Sequence, residues 1–145
     1  MQNVLSSSNA LGLSPLRLWI MRIPYFLTGV LFTITVWGTL LANWGFFEPM
    51  EGVAFAFWGA LSLLALLGLR FPVKMLPVLL IQFAYKAIWI AAVGYPLQAR
   101  GELGPGGQEL LQANLIGIVI DLIAIPWLYV AKTFIIGIFT SGKER

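Results

Sequence analysis

Between Leu76 and Tyr95 the chain runs for about twenty residues with a single charge, Lys86, near the middle. As a helix, about twenty apolar residues cover the ~30 Å hydrocarbon core of a bilayer. An ammonium at that depth costs roughly 2.5–3.5 kcal/mol on insertion scales. A lysine side chain reaches ~6 Å, whereas each end of such a helix lies ~13 Å away, so snorkelling is a poor escape. The segment calls for lipid around it and a polar partner inside the protein.

The rest of the chain fits that demand. Of its 145 residues, 59% are hydrophobic and 10% charged, with a mean hydropathy of +0.88; soluble domains carry about 25% charge. Apolar runs predict crossings over about 23–43, 52–69, 76–95 and 113–136. The expected fold is an all-α membrane protein, an antiparallel four-helix transmembrane bundle with a short N-terminal interfacial helix, and 1–145 as a single transmembrane domain. Cys is absent, which excludes disulfides, thiolate nucleophiles and CxxC sites; His is absent, which removes the commonest metal ligand and the near-neutral acid–base group. No metal and no cofactor is therefore expected. The net charge of +3 is scattered at helix ends, so no nucleic-acid partner is expected.

In chain order, Ser6-Ser7-Ser8 lies in a polar start, and the run beyond Arg22 is too long for a signal-peptide core. Ser14-Pro15 suits a cap and first helical position. Leu16 to Arg22 reads as an interfacial lead-in, with Trp19 at headgroup level and Arg17 and Arg22 facing lipid phosphates. Thr28, Thr35 and Thr39 fall on one face of the first crossing, a packing stripe whose hydroxyls bond their own i−4 carbonyls. Glu48-Pro49-x-Glu51 reads as a helix start. Gly52, Ala56 and Ala60, spaced by four, offer a helix-packing face. Arg70-Phe71-Pro72-Val73-Lys74 is a tight turn that makes the second and third crossings antiparallel neighbours. Gly94, Pro96 and the Gly/Pro-rich stretch to Gly107 read as the one substantial loop, with Gln108–Gln112 a short helical approach. In the fourth crossing Asn114, Gly117 and Asp121 share a face, and Pro126 leaves the Leu122 carbonyl without its helical donor.

Seven basic residues (Arg17, Arg22, Arg70, Lys74, Lys132, Lys143, Arg145) fall on one side of this four-pass arrangement and Arg100 on the other, so both termini are expected to be cytoplasmic. Lys86 and Asp121 come to nearly the same depth, ~13 Å and ~12 Å below one surface. They predict an intramembrane ion pair supported by Gln82 and Asn114.

The stretch Leu66-Leu67-Gly68-Leu69-Arg70-Phe71-Pro72-Val73-Lys74-Met75-Leu76-Pro77, continuing through Tyr85-Lys86-Ala87-Ile88-Trp89, resembles a group of small bacterial membrane proteins. Trp37, Pro96-Leu97 and Ile125 to Val130 extend the resemblance. It implies a four-pass protein of the bacterial inner (cytoplasmic) membrane and no particular activity.

Two functions follow from the residues. One is a small oligomeric transporter or channel built on the Lys86/Asp121 polar centre. The other is an accessory or scaffold subunit that binds another membrane protein, a lipid or a quinone, with Lys86–Asp121 purely structural. Catalysis is the least favoured, since only carboxylates, Lys and Tyr are on hand. A lipid or quinone pocket would be sought near Trp89 and Trp127. The expected partners are the lipid bilayer and a homo-oligomer or membrane-protein partner.

Overall fold

The computed structural model describes residues 12–136, so Ser6-Ser7-Ser8, Lys143 and Arg145 lie outside the described residues. Four helices are long and apolar enough to cross a membrane: α1 (Pro15–Ala42), α2 (Pro49–Arg70), α3 (Leu76–Ala99) and α4 (Gly104–Ala124). A shorter apolar helix, α5 (Trp127–Ile136), follows. No strand occurs among the described residues. Much of the apolar surface faces outward; Ile34 is 70% and Leu128 81% exposed, as lipid-facing side chains would be. This is an all-α, multi-pass membrane bundle. One end, the turn end, holds the start of α1 and the α2–α3 turn; the other, the loop end, holds the α1–α2 and α3–α4 connections.

The helix starts follow local chemistry. Ser14 caps α1, its Oγ accepting from the Arg17 N–H at 3.2 Å, and Pro15 occupies the first turn. α2 begins at Pro49 as expected, although the Glu48 side chain makes no capping bond. In the α2–α3 turn, Arg70 and Lys74 flank the Phe71 ring at 5.6 and 5.5 Å from its centroid.

Three expectations about where helices begin and end are corrected. Leu16 to Arg22 is helical but continues unbroken into the first crossing, giving a 28-residue helix of ~42 Å that overruns the hydrocarbon core. Its arginines do not simply face lipid. Arg22 Nε donates to the Leu69 carbonyl at 3.0 Å and Arg17 Nη2 to the Ile125 carbonyl at 2.5 Å. The Leu69 carbonyl lies in the last turn of α2, at the negative end of its dipole; the Ile125 carbonyl lies just past the end of α4 and also accepts from the Trp127 N–H at 3.0 Å.

The Gly/Pro-rich stretch is also mostly helix. α3 passes through Gly94 and Pro96 because a π-helical turn, Ile90–Gly94, widens the backbone just before the proline. Pro105 sits in the first turn of α4, where its missing N–H costs nothing, so the fourth crossing starts at Gly104 rather than near Ala113. The third correction is at Pro126. The fourth crossing does not bend through to Ile136 as one helix; Ile125 is extended (φ −69°, ψ 125°) and the chain restarts as α5. The Leu122 carbonyl, freed by the proline, accepts from Trp127 Nε1 at 2.9 Å.

In lipid, apolar contact does not drive helices together, so close approach decides which faces meet. α1 and α2 meet where Gly29 lies on the backbone of Ala65 and Leu66, and the buried Tyr25 ring covers Gly68. Tyr25 also donates its hydroxyl to the Pro72 carbonyl at 2.9 Å. The small residues that pack are thus Gly59, Ser62, Ala65 and Gly68; Ala56 and Ala60, from the expected face, are exposed, and Gly52 is only half-buried. The threonine stripe splits as well. A second π-helical turn, Leu27–Phe32, puts an extra residue into the helix and rotates everything beyond it by ~100°. Thr28 is buried; Thr35 is exposed and Thr39 half-exposed, each bonding its i−4 carbonyl.

A Cβ at Gly29 would lie 2.8 Å from the Leu66 backbone nitrogen, whereas one at Gly38 would meet nothing within 4 Å. Gly29→Ala should therefore cost about 1–3 kcal/mol of stability, and Gly38→Ala should be neutral or slightly stabilising; thermal unfolding of both in mild detergent checks this.

Candidate functional site

The polar centre assembles from three helices. Lys86 on α3 donates to Asp121 Oδ2 on α4 at 2.9 Å. Gln82, one turn before Lys86, donates through Nε2 to Asp121 Oδ1 at 3.0 Å. Thr28 of α1 donates its hydroxyl to Gln82 Oε1 at 2.8 Å. Asp121 is 0% exposed, and each of its oxygens has a donor. Burying a carboxylate without such partners would cost several kcal/mol. The predicted Lys86–Asp121 pair thus forms, with Gln82 supporting it directly.

Room for the lysine comes from α4 itself. A Cβ on Gly117 would lie 2.7 Å from Lys86 Nζ and 3.0 Å from its Cε, so a residue without a side chain is needed there. The ammonium also lies 6.0 Å from the centroid of the Tyr85 ring. Asn114, one turn further along the same face, is 4% exposed. Contrary to expectation its side chain makes no hydrogen bond to the pair, nor to any other group among the described residues.

Asn114 faces a cavity instead. The cavity has a volume of about 390 Å³, is partly open, and lies against Thr28, Phe32, Trp58, Tyr85, Lys86 and Asn114. Its origin is the way the helices pair. Towards the loop end, Thr33–Ala42 of α1 packs on α2, and Ile90–Gly94 of α3 packs on α4. Extensive contact between the pairs is made by Pro15–Phe26 of α1 with α4 and by α2 with Leu76–Trp89 of α3. Across the pairs run the Thr28–Gln82 bond, the Arg17–Ile125 bond and an edge-on contact of Phe57 with Tyr85, centroids 5.7 Å apart. The bundle is joined at the turn end and spread at the loop end, with the polar centre at the base of the V.

The other tryptophans lie elsewhere. Trp89 packs over Gly94, and Trp127 meets Phe83 edge-on at 5.2 Å. Trp127 also borders a second cavity of about 620 Å³ at the turn end, with Ser14, Arg17 and Lys132. Among the described residues no group of three or more carboxylates could hold a metal ion. Sequence reasoning missed Thr28 as a member of the centre, because a threonine in an apolar helix carries no signal of what it will meet. It missed Trp58 for the same reason.

Comparison with protein families, curated proteins and solved structures gives no match for this chain.

Removing one partner of a buried ion pair leaves an uncompensated charge, about 3–5 kcal/mol, while replacing both by apolar groups is often neutral. Lys86→Met should therefore lower the melting temperature in detergent sharply, and Lys86→Met with Asp121→Leu should recover most of the loss.

Proposed function

We propose that the protein is a small transporter of the bacterial inner membrane, with both termini in the cytoplasm. The observation that carries this reading is the Lys86–Asp121 pair at the base of a cleft formed by two spread helix pairs. Intramembrane ionisable groups mark substrate and ion pathways when they border a cavity. A discontinuous helix beside such a site is a recurring transporter feature, and α4 breaks at Ile125, four residues after Asp121. Alternation would then be a rocking of α1 and α2 against α3 and α4 about the turn end. The positive-inside asymmetry puts the turn end in the cytoplasm, so the cleft faces the outer side. Four helices make a thin wall, and the exposed Ala56 and Ala60 offer a face for a homo-oligomer.

A second reading rests on the complete pairing of Asp121. With both carboxylate oxygens occupied, the network can act as a lock between α1, α3 and α4 in an accessory subunit that binds another membrane protein.

The two readings part in proteoliposomes. On the transport reading, Asp121→Asn abolishes solute-coupled or proton flux, followed with an internal pH dye, and so does the stability-matched Lys86→Met with Asp121→Leu, which separates lost transport from lost folding. Wild-type flux from the variant, together with a stoichiometric partner recovered in mild detergent, would establish the accessory role.

A further inference from the structure

The cleft carries a description of what it binds, resting on its reading as a binding site. Three features bear on the ligand. The first is an excess of donors. Lys86 has three N–H groups and gives one to Asp121. Asn114 is almost fully buried and has no hydrogen-bond partner among the described residues, although its face borders the cavity. No fully buried side-chain nitrogen or oxygen among the described residues lacks a partner, so the Asn114 amide opens onto the cavity, where it offers both donors and an acceptor to a ligand.

The second is charge. Asp121 neutralises Lys86 at 2.9 Å and, although it lies against the cavity, has no exposed surface and already holds a donor on each carboxylate oxygen. The ammonium therefore offers hydrogen bonds but no net charge. An anionic ligand would leave the cluster with a net negative charge within the membrane, and a cationic one would find no accessible carboxylate. A neutral acceptor avoids both penalties. The third is the wall. Apart from the polar cluster the cavity is apolar, and three rings, Phe32, Trp58 and Tyr85, border it from three different helices. Flat rings meet such walls by offset or edge-on stacking. A cavity of about 390 Å³ lies in the range of small-molecule sites.

We infer that the cleft binds a neutral, lipophilic ring compound of the quinone type, held by a carbonyl oxygen that accepts from Lys86 and Asn114. The ring lies against Trp58, and any alkyl chain runs out between the spread helix pairs into lipid. Asn114 is here a binding residue with no part in holding the bundle together, which separates it from Lys86 and Asp121.

The test uses the full chain in nanodiscs, titrated with a short-alkyl benzoquinone labelled with ¹³C at its carbonyls. Tryptophan emission should show a saturable quenching component that disappears in Trp58→Phe. The carbonyl stretch of the bound fraction should fall, as for a hydrogen-bonded carbonyl. In Asn114→Ala, binding should weaken about tenfold and the stretch should return towards its free value. Should Asn114→Ala fail to fold, Trp58→Phe and the infrared shift of the wild-type protein carry the test. Quenching that never saturates, or that is unchanged in Trp58→Phe, overturns the inference. So does displacement of the quinone by decanoate at equal or lower concentration, which would make the site anion-selective. Saturable binding with wild-type flux in Asp121→Asn would leave this inference standing and remove transport. Flux that needs Asp121 in a protein that does not bind the quinone would do the reverse.

Discussion

A carboxylate with no exposed surface, in the interior of a membrane bundle, is the constraint on which the rest of the structure depends. Asp121 cannot be hydrated where it lies, so the protein must supply donors from neighbouring helices. It does so in two layers: Lys86 and Gln82 bond the carboxylate, and Thr28 bonds Gln82. Since these groups sit on α1, α3 and α4, satisfying one charge fixes the rotation of three helices about their axes. The cost of a wrong register, several kcal/mol, exceeds what apolar packing between helices in lipid could offset.

The rest of the polar chemistry reinforces the same end of the molecule. Arg17 and Arg22 use the excess length of α1 to reach the terminal carbonyls of α4 and α2, and Tyr25 ties α1 to the α2–α3 turn. The two arginine bonds are charge-assisted and worth about 1.5–3 kcal/mol each, the neutral Tyr25 bond less. Towards the loop end, rings pack within the α1–α2 pair, as with Phe32 on Trp58 and Phe47 on Phe55. A bundle braced at one end and paired only two-by-two at the other leaves a cleft between the pairs. Its floor is the polar centre because that is where the bracing stops.

How much of this was legible in the sequence differs by residue, and the differences have physical reasons. Lys86 and Asp121 could be matched because each is expensive in lipid and no other acid was predicted at that depth. The match survived wrong helix ends. With α3 ending at Ala99 and α4 starting at Gly104, the two residues lie ~20 Å and ~26 Å from those ends, and the ~6 Å difference is about a lysine side chain. The ends were misread because Pro96 and Gly104 to Gly107 look like loop by composition, whereas a π turn and a first-turn proline make them helix. The threonine stripe failed because the face rule assumes 3.6 residues per turn, and the π turn at Leu27–Phe32 breaks that count between Thr28 and Thr35. The freed carbonyl of Leu122 was foreseen from Pro126; its capture by the Trp127 indole was not.

The sequence by itself determined what had to be paid for: four runs too apolar for water, one basic and one acidic group too polar for lipid, and a proline that had to free a carbonyl near the end of the chain. Such costs belong to single residues and the medium around them, so they can be read without coordinates. Only the tertiary structure decided which faces met. Gly59, Ser62, Ala65 and Gly68 rather than Gly52, Ala56 and Ala60 line the packed face of α2, and Asn114 is turned to a cavity rather than to Asp121. Those choices depend on how two backbones approach and on where a helix gains an extra residue, which are properties of pairs of helices.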